Sequence, residues 1–311
     1  MFIHRQRGWE LPERDATPEP LVLGRRRALA GAAAVGLAPI AARAAAPVVD
    51  TKYPPGRAIT PEQNATTYNN YYEFSDDKDL WRAAQKLPQS PWSVAIGGEV
   101  EKPFSIALPD LLKQVQLQDR VLRHRCVEAW AMTVPWTGFP LADLVKLARP
   151  TSAARYVVFH TIEDRKVMPG LSEVWYPWPY TEGVTMAEAN NDLAFLATGM
   201  YGKPVPPQDG GPIRLLLPWK YGFKSAKALN RITFAAKQPL NFWQALAPNE
   251  YGFWANVNPA VPHPRWSQRT ERLIGSGERV PTQIYNGYGE WVAPLYAGPA
   301  FASLKSRKLF M

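Results

Sequence analysis

The sequence predicts one α+β domain of mixed sheets, short helices and long irregular loops, set behind an export leader. Three observations carry this expectation. Thirty-one prolines and twelve tryptophans stand in an otherwise ordinary composition, which favours loops pinned by large aromatic side chains over long regular elements. Short apolar runs bounded by Gly and Pro alternate with short helical patterns. After the leader, the sequence has no internal repeat, no low-complexity tract and no run approaching ~18 apolar residues, so the mature chain is expected to be soluble.

The leader spans residues 1–44. Consecutive arginines in Gly24-Arg-Arg-Arg-Ala28 precede a mild, alanine-rich run to Ala46, too short and too poor in large apolar residues to span a bilayer. This is the pattern of a twin-arginine export signal, although Ala28 stands where a bulkier residue often follows the arginine pair. Arg43 suits the same route. Cleavage is expected after Ala44, because cutting after Ala46 would place the rigid Pro47 beside the scissile bond. The mature protein is therefore expected in the periplasm, exported already folded.

Residues 45–90 read as an ordered, polar arm that carries Tyr68-Asn-Asn-Tyr-Tyr-Glu-Phe74. Residues 91–311 form the body of the same domain. A strand at 92–96 turns at Gly97-Gly98; a short helix with Pro109 in its first turn covers 108–115. A strand over 120–127 delivers Cys126 to its end. A helix over 139–147 turns Leu141, Leu144, Val145 and Ala148 inward. Further strands are expected at 156–162, 193–197, 213–217 and 229–234, and Thr185-Met-Ala-Glu188 is a capping box. Residues 253–297, rich in Pro, Asn, Gly and Trp, read as a long irregular closing segment.

Cys126 is the only cysteine. A solitary thiol sent to an oxidising compartment has no disulfide partner, so it is either an inert buried residue or chemically used. Arg123 and Arg125 favour a thiolate there, which is a soft ligand for a heavy metal. Four histidines, none at metal-ligand spacing, speak against zinc, and His124 is poorly placed in sequence to serve as the base of a cysteine nucleophile. A second constellation, residues 206–227, joins a Gly/Pro turn, a buried strand and a loop with Arg214, Lys220, Lys224 and Lys227. Such a loop offers cations and backbone N–H groups to an anion such as phosphate, or is simply a solvated basic loop. The net charge of +9 falls to about +6 without the leader. That excess suits an anionic cofactor or a membrane-surface partner better than nucleic acid.

Several long strings, in order, carry a resemblance: Arg125-Cys-Val-Glu-Ala-Trp130, Val134-Pro-Trp-Thr-Gly-Phe-Pro-Leu141, Pro218-Trp-Lys-Tyr-Gly-Phe-Lys224, Tyr251-Gly-Phe-Trp-Ala-Asn-Val-Asn-Pro259 and His263-Pro-Arg-Trp-Ser-Gln268. Together they resemble the catalytic subunits of periplasmic protein-methionine-sulfoxide reductases, molybdopterin enzymes with a sulfite-oxidase-like fold. The resemblance implies that Cys126 ligates molybdenum in a molybdenum-molybdopterin cofactor, and that Asn69, Tyr72, Glu73, Thr161, Arg214, Ser225, Ala226 and Lys227 hold the pterin and its phosphate. Asp209 stands where that family usually has Asn. An ionised Asp only accepts hydrogen bonds, so Asp209 keeps one acceptor contact, is protonated, or loses the contact.

The resemblance further implies reduction of methionine sulfoxide in oxidised periplasmic proteins by a monomeric catalytic subunit. Its electrons would come from a membrane haem-containing subunit that oxidises quinol. Glu128 is expected near the reacting oxygen, with burial raising its pKa so that it relays protons; the competing expectation is an ion pair with Arg123 or Arg125. Asn70 is expected to orient the same oxygen. Trp130, Trp136, Trp219, Tyr221 and Phe223 form either an aromatic rim for a methionine stem or ordinary core. Two other functions compete. One is a sulfite dehydrogenase of the same fold, disfavoured because Glu128 would repel sulfite and no dimerisation domain follows; the other is an exported, aromatic-rich binding protein.

Overall fold

The computed structural model describes residues 48–298, 301 and 308–310; the leader and its cleavage point lie outside them. Among the described residues thirteen strands run in chain order. The first seven are β1 (Val48–Val49), β2 (Ser93–Gly98), β3 (Phe104–Ala107), β4 (Gln118–Arg125), β5 (Trp130–Pro140), β6 (Tyr156–Thr161) and β7 (Thr181–Thr185). The others are β8 (Phe195–Met200), β9 (Lys203–Pro204), β10 (Arg214–Leu216), β11 (Leu229–Ala235), β12 (Thr270–Leu273) and β13 (Arg279–Pro281). Helices are short, Leu141–Ala148 being the longest among the described residues.

The strands build two mixed sheets. In the larger, the order is β1-β4-β5-β12-β13, and β8 joins β5 to β10 and β9. The spine is the antiparallel β4–β5 pair, from Gln118 opposite Gly138 to Arg125 opposite Ala131. Its other edge serves two partners, parallel β12 at Trp130–Ala131 and antiparallel β8 from Trp136 to Pro140. The smaller sheet runs β3-β2-β11-β6-β7, with β11 parallel to β2 and antiparallel to β6. β6, Tyr-Val-Val-Phe-His-Thr, is made of residues that suit a pleated surface, and Val157 and Phe159 are fully buried. Side chains of β4, β5 and β8 from one sheet, and of the end of β6 from the other, reach one shared cavity.

Most anticipated elements occur within a few residues of their expected place, and the Thr185–Glu188 capping box is complete. The expected helix at 108–115 ends at Leu112. Seven strands were not anticipated: β1, β3, β7, β9, β12, β13 and, most consequentially, β5. Pro135, Gly138 and Pro140 punctuate β5 like a loop, yet it is buried almost throughout because it is paired along both edges. The closing segment is not irregular throughout, since β12 and β13 extend the larger sheet. The arm also has structure of its own, with β1 paired to β4 and helices at Glu62–Thr67 and Trp81–Ala84.

Candidate active site

Cys126 sits just past the end of β4, in the tight turn that leads into β5. Its N–H donates to Trp130 O (2.9 Å) and its carbonyl accepts from Ala129 N–H (3.1 Å). Ala129 holds a left-handed φ of 62° to close the turn. The next carbonyl, Val127 O, accepts from both Trp266 Nε1 and Gln268 Nε2, each at 2.7 Å. Arg125 is completely buried beneath the turn, donating to Cys126 O, to Gln268 Oε1 (2.7 Å) and to Glu271 Oε2 (2.7 Å). Glu271 also pairs with Arg57 from the arm. The backbone of residues 125–130 is thus fixed from strand, arm and closing segment together.

This arrangement corrects one expectation. Arg125 is committed to Glu271, and Arg123 donates away from the thiol, to Pro55 O, Gln283 Oε1 and Asn286 O. Burial first, and Glu128 second, push the Cys126 thiol up to about 12. Lys78 and Arg125 pull the thiol the other way, but burial outweighs them.

Beside the sulfur stand Asn70 and Glu128. Asn70 Nδ2 lies 3.6 Å from Cys126 Sγ and 3.4 Å from Glu128 Oε2. Glu128 accepts from Trp130 Nε1 (2.9 Å) and pairs with Lys78 at 2.9 Å. Neither Arg123 nor Arg125 is its partner. Its pKa also runs opposite to expectation: burial would raise it, but hydrogen bonds from Trp130, Lys78 and Asn70, together with the Lys78 charge, hold the carboxyl below its usual range.

One side of the cavity lining is cationic. Arg214 donates to Asp209 O (2.7 Å) and Ser225 O (3.2 Å); Lys227 Nζ donates to Asn70 O (2.9 Å) and Gln208 O (2.6 Å). Both side chains are held mainly by neutral carbonyls, and burial lowers the pKa of each. Lys220 and Lys224, expected in the same role, are buried elsewhere against Glu188 (2.5 Å) and Glu182 (2.7 Å). Thr161 Oγ1 ties down the loop by donating to Lys227 O (2.8 Å), and Ser225 Oγ accepts from Leu217 N–H (3.1 Å). Asp209 Oδ1 accepts from Asn69 Nδ2 (2.7 Å), so one acceptor contact is kept. Burial raises the Asp209 pKa, which favours the protonated form. Glu73 is likewise buried, its carboxyl pushed up to about 7.

All twelve residues singled out in the sequence line this one cavity: Asn69, Asn70, Tyr72, Glu73, Cys126, Glu128, Thr161, Asp209, Arg214, Ser225, Ala226 and Lys227. The aromatic residues divide. Trp130, Trp136 and Phe223 line it; Trp219 is core, donating to Tyr296 OH, and Tyr221 packs against Ala255 and Val257. Sequence reasoning gave no such place to Tyr68, Trp243 or Tyr251, although Tyr251 opens one of the unusual strings. His124 also lines the cavity; burial, then Arg214 and Lys227, push it down to about 3, so it is a neutral wall.

The cavity fits molybdopterin. Its lining leaves about 980 Å³ free of protein atoms, part of it open solvent. Two carbonyl-held cations in that lining suit a phosphate. Among the described residues, Asn69 Oδ1, Asp209 Oδ2 and Tyr71 OH are buried without a hydrogen-bond partner, as a polar ring system would require. Gly170 cradles the 69–73 segment, since a Cβ there would strike Tyr72 O and the Glu73 backbone. The same lining carries a single soft sulfur, that of Cys126.

Comparison with known proteins agrees. The model of the oxidoreductase molybdopterin-binding domain family matches residues 82–243. The protein-methionine-sulfoxide reductase catalytic subunit MsrP of Xanthomonas axonopodis pv. citri is 46% identical, over 93% of this chain and 95% of that protein. The subunit of the same name from Pseudomonas syringae pv. tomato is 47% identical, over 92% and 94%. The sulfane dehydrogenase SoxCD from Paracoccus pantotrophus superposes with a TM-score of 0.48 at 17% identity, covering 82% of this chain and 68% of that one.

Proposed function

Since the chain belongs to the molybdopterin-binding oxidoreductases, in the family of the protein-methionine-sulfoxide reductase catalytic subunits, we propose that it reduces methionine sulfoxide residues of oxidised proteins to methionine. The observation that carries this reading is one cavity lined by the sole cysteine and by two carbonyl-held cations.

Arg214, Lys227 and the Ser225–Ala226 backbone hold the cofactor's phosphate; Asn69, Tyr72, Glu73, Thr161 and Asp209 hold the ring system. Cys126 is the protein ligand to molybdenum. Bound molybdopterin would supply a two-electron reductant that accepts the sulfoxide oxygen, and the full reaction takes up two electrons and two protons to give thioether and water. The protein orients and moves protons. Asn70 presents an N–H to the space before Cys126, where it can hold the sulfoxide oxygen. Glu128, in contact with Asn70 and half-buried at the mouth, passes protons inward from solvent. Tyr72, Trp243 and Tyr251 offer apolar faces to the methionine stem.

The ionised Glu128 beside the sulfur disfavours an anionic substrate such as sulfite. Export to the periplasm and electron supply from a membrane haem subunit complete the reading. The test is to purify the exported protein and measure its molybdenum content and dye-driven reduction of methionine sulfoxide. We expect about one metal per chain and turnover on sulfoxide but not sulfite. A metal-free product without either activity would refute it.

A further inference from the structure

We propose that Lys78 is a positioning residue for this reaction, locking the Asn70 side-chain amide with its nitrogen toward Cys126. An Asn amide has two ends of nearly equal size, and its partners alone decide which way it faces. Lys78 Nζ lies 2.5 Å from Asn70 Oδ1 and 2.9 Å from Glu128 Oε2. An ammonium has three donors and no acceptor, so only the amide oxygen can face it.

The nitrogen is then directed at Cys126 Sγ and Glu128 Oε2. Reversing the amide would set its donors against the ammonium and its oxygen against a sulfur and a carboxylate, so every contact on both sides would turn unfavourable. Glu128 alone opposes the reversed state weakly, across 3.4 Å. Lys78 is the stronger determinant, and it also fixes the carboxylate that shares the amide.

The residue has a second, separate contact. Its backbone carbonyl accepts from Asn69 N–H (3.1 Å), closing the loop that carries Asn69 to Glu73. That contact survives any ordinary substitution at position 78, so side-chain variants probe the amide and leave the loop closure in place.

The inference rests on the reading that Asn70 faces the reacting oxygen, and the experiment separates the two. Wild type, Lys78→Met and Lys78→Arg are purified with cofactor; molybdenum content, kcat, KM and the Mo(V) electron paramagnetic resonance spectrum are measured. For Lys78→Met we expect kcat to fall roughly ten- to a hundredfold with KM little changed, as for a misaligned catalytic group. Its Mo(V) signal should shift, because a carbonyl replaces an N–H beside the metal ligand. Lys78→Arg, which also only donates, should restore most of kcat and the wild-type signal.

In an Asn70→Ala background, adding Lys78→Met should change kcat by less than about threefold. The proposal is overturned if Lys78→Met keeps wild-type kcat and spectrum. It is equally overturned if both variants lose activity only in step with molybdenum while the remaining signal is unchanged, the mark of a structural salt bridge. Were the wild type inactive on sulfoxide, the functional reading would fall, yet the spectra would still decide the role of Lys78.

Discussion

On the cysteine side of the cavity lining, the Cys126 turn is held by ionic and amide side chains: Arg125, Gln268, Trp266 and the Glu271–Arg57 pair all converge on it. On the cationic side the direction is reversed, and Arg214 and Lys227 are themselves held by backbone carbonyls. A satisfied web fixes geometry, whereas cations without carboxylate partners at hydrogen-bond distance leave charge for a ligand to complete. The first arrangement suits chemistry and the second suits retention of an anion. If so, the two sides can be broken separately.

The largest effect should come on the cysteine side. Cys126→Ser is expected to bring turnover to background while most of the pterin stays bound, as judged by dye-coupled assay and pterin fluorescence. Next comes the web beneath it. Glu271→Gln leaves Arg125 and Arg57 without their buried carboxylate and should lower unfolding free energy by about 3–5 kcal/mol in denaturant titrations.

Arg214→Met, on the cationic side, removes charge-assisted bonds to the phosphate. It should weaken cofactor binding by about 2–3 kcal/mol, read as pterin lost on gel filtration.

The smallest effect is expected at Asp209. Burial raises its pKa, so its contribution to stability is present below the ordinary carboxylate range and is lost as pH rises through the folded value of about 6. Above that pH its negative charge also opposes an anionic cofactor. Asp209→Asn should therefore strengthen cofactor binding at pH 8 by on the order of 1 kcal/mol, read as a wider gap in Tm between loaded and cofactor-free protein, and the gain should vanish near pH 5. A gain that grows on acidification would contradict this placement.

The cationic side was more legible in the sequence than the cysteine side. Local order in residues 206–227 gave only a basic loop with Arg214, Lys220, Lys224 and Lys227; the family resemblance singled out Arg214, Ser225, Ala226 and Lys227. Which of the four basic residues faces the cavity was not legible from local order. Lys220 and Lys224 are drawn off by Glu188 and Glu182, dozens of residues upstream, and a charge in a loop does not announce its counterion.

The cysteine side depends on pairing across more than a hundred residues, from Arg125 to Gln268 and Glu271. Lys78 stands in the run Asp76-Asp-Lys-Asp79, where it looks like any solvated charge until the fold sets it on Asn70. β5 was hidden by its own prolines and glycine, which local rules read as turns but which sheet pairing on both edges overrides.

The most direct test compares pterin per chain and turnover in Cys126→Ser and Arg214→Met, expressed and purified alike. Pterin retained without turnover in the first, and pterin lost in the second, is the predicted result. A Cys126→Ser protein that turns over normally, or an Arg214→Met protein that keeps its pterin as well as wild type, would contradict the division of labour between the two sides.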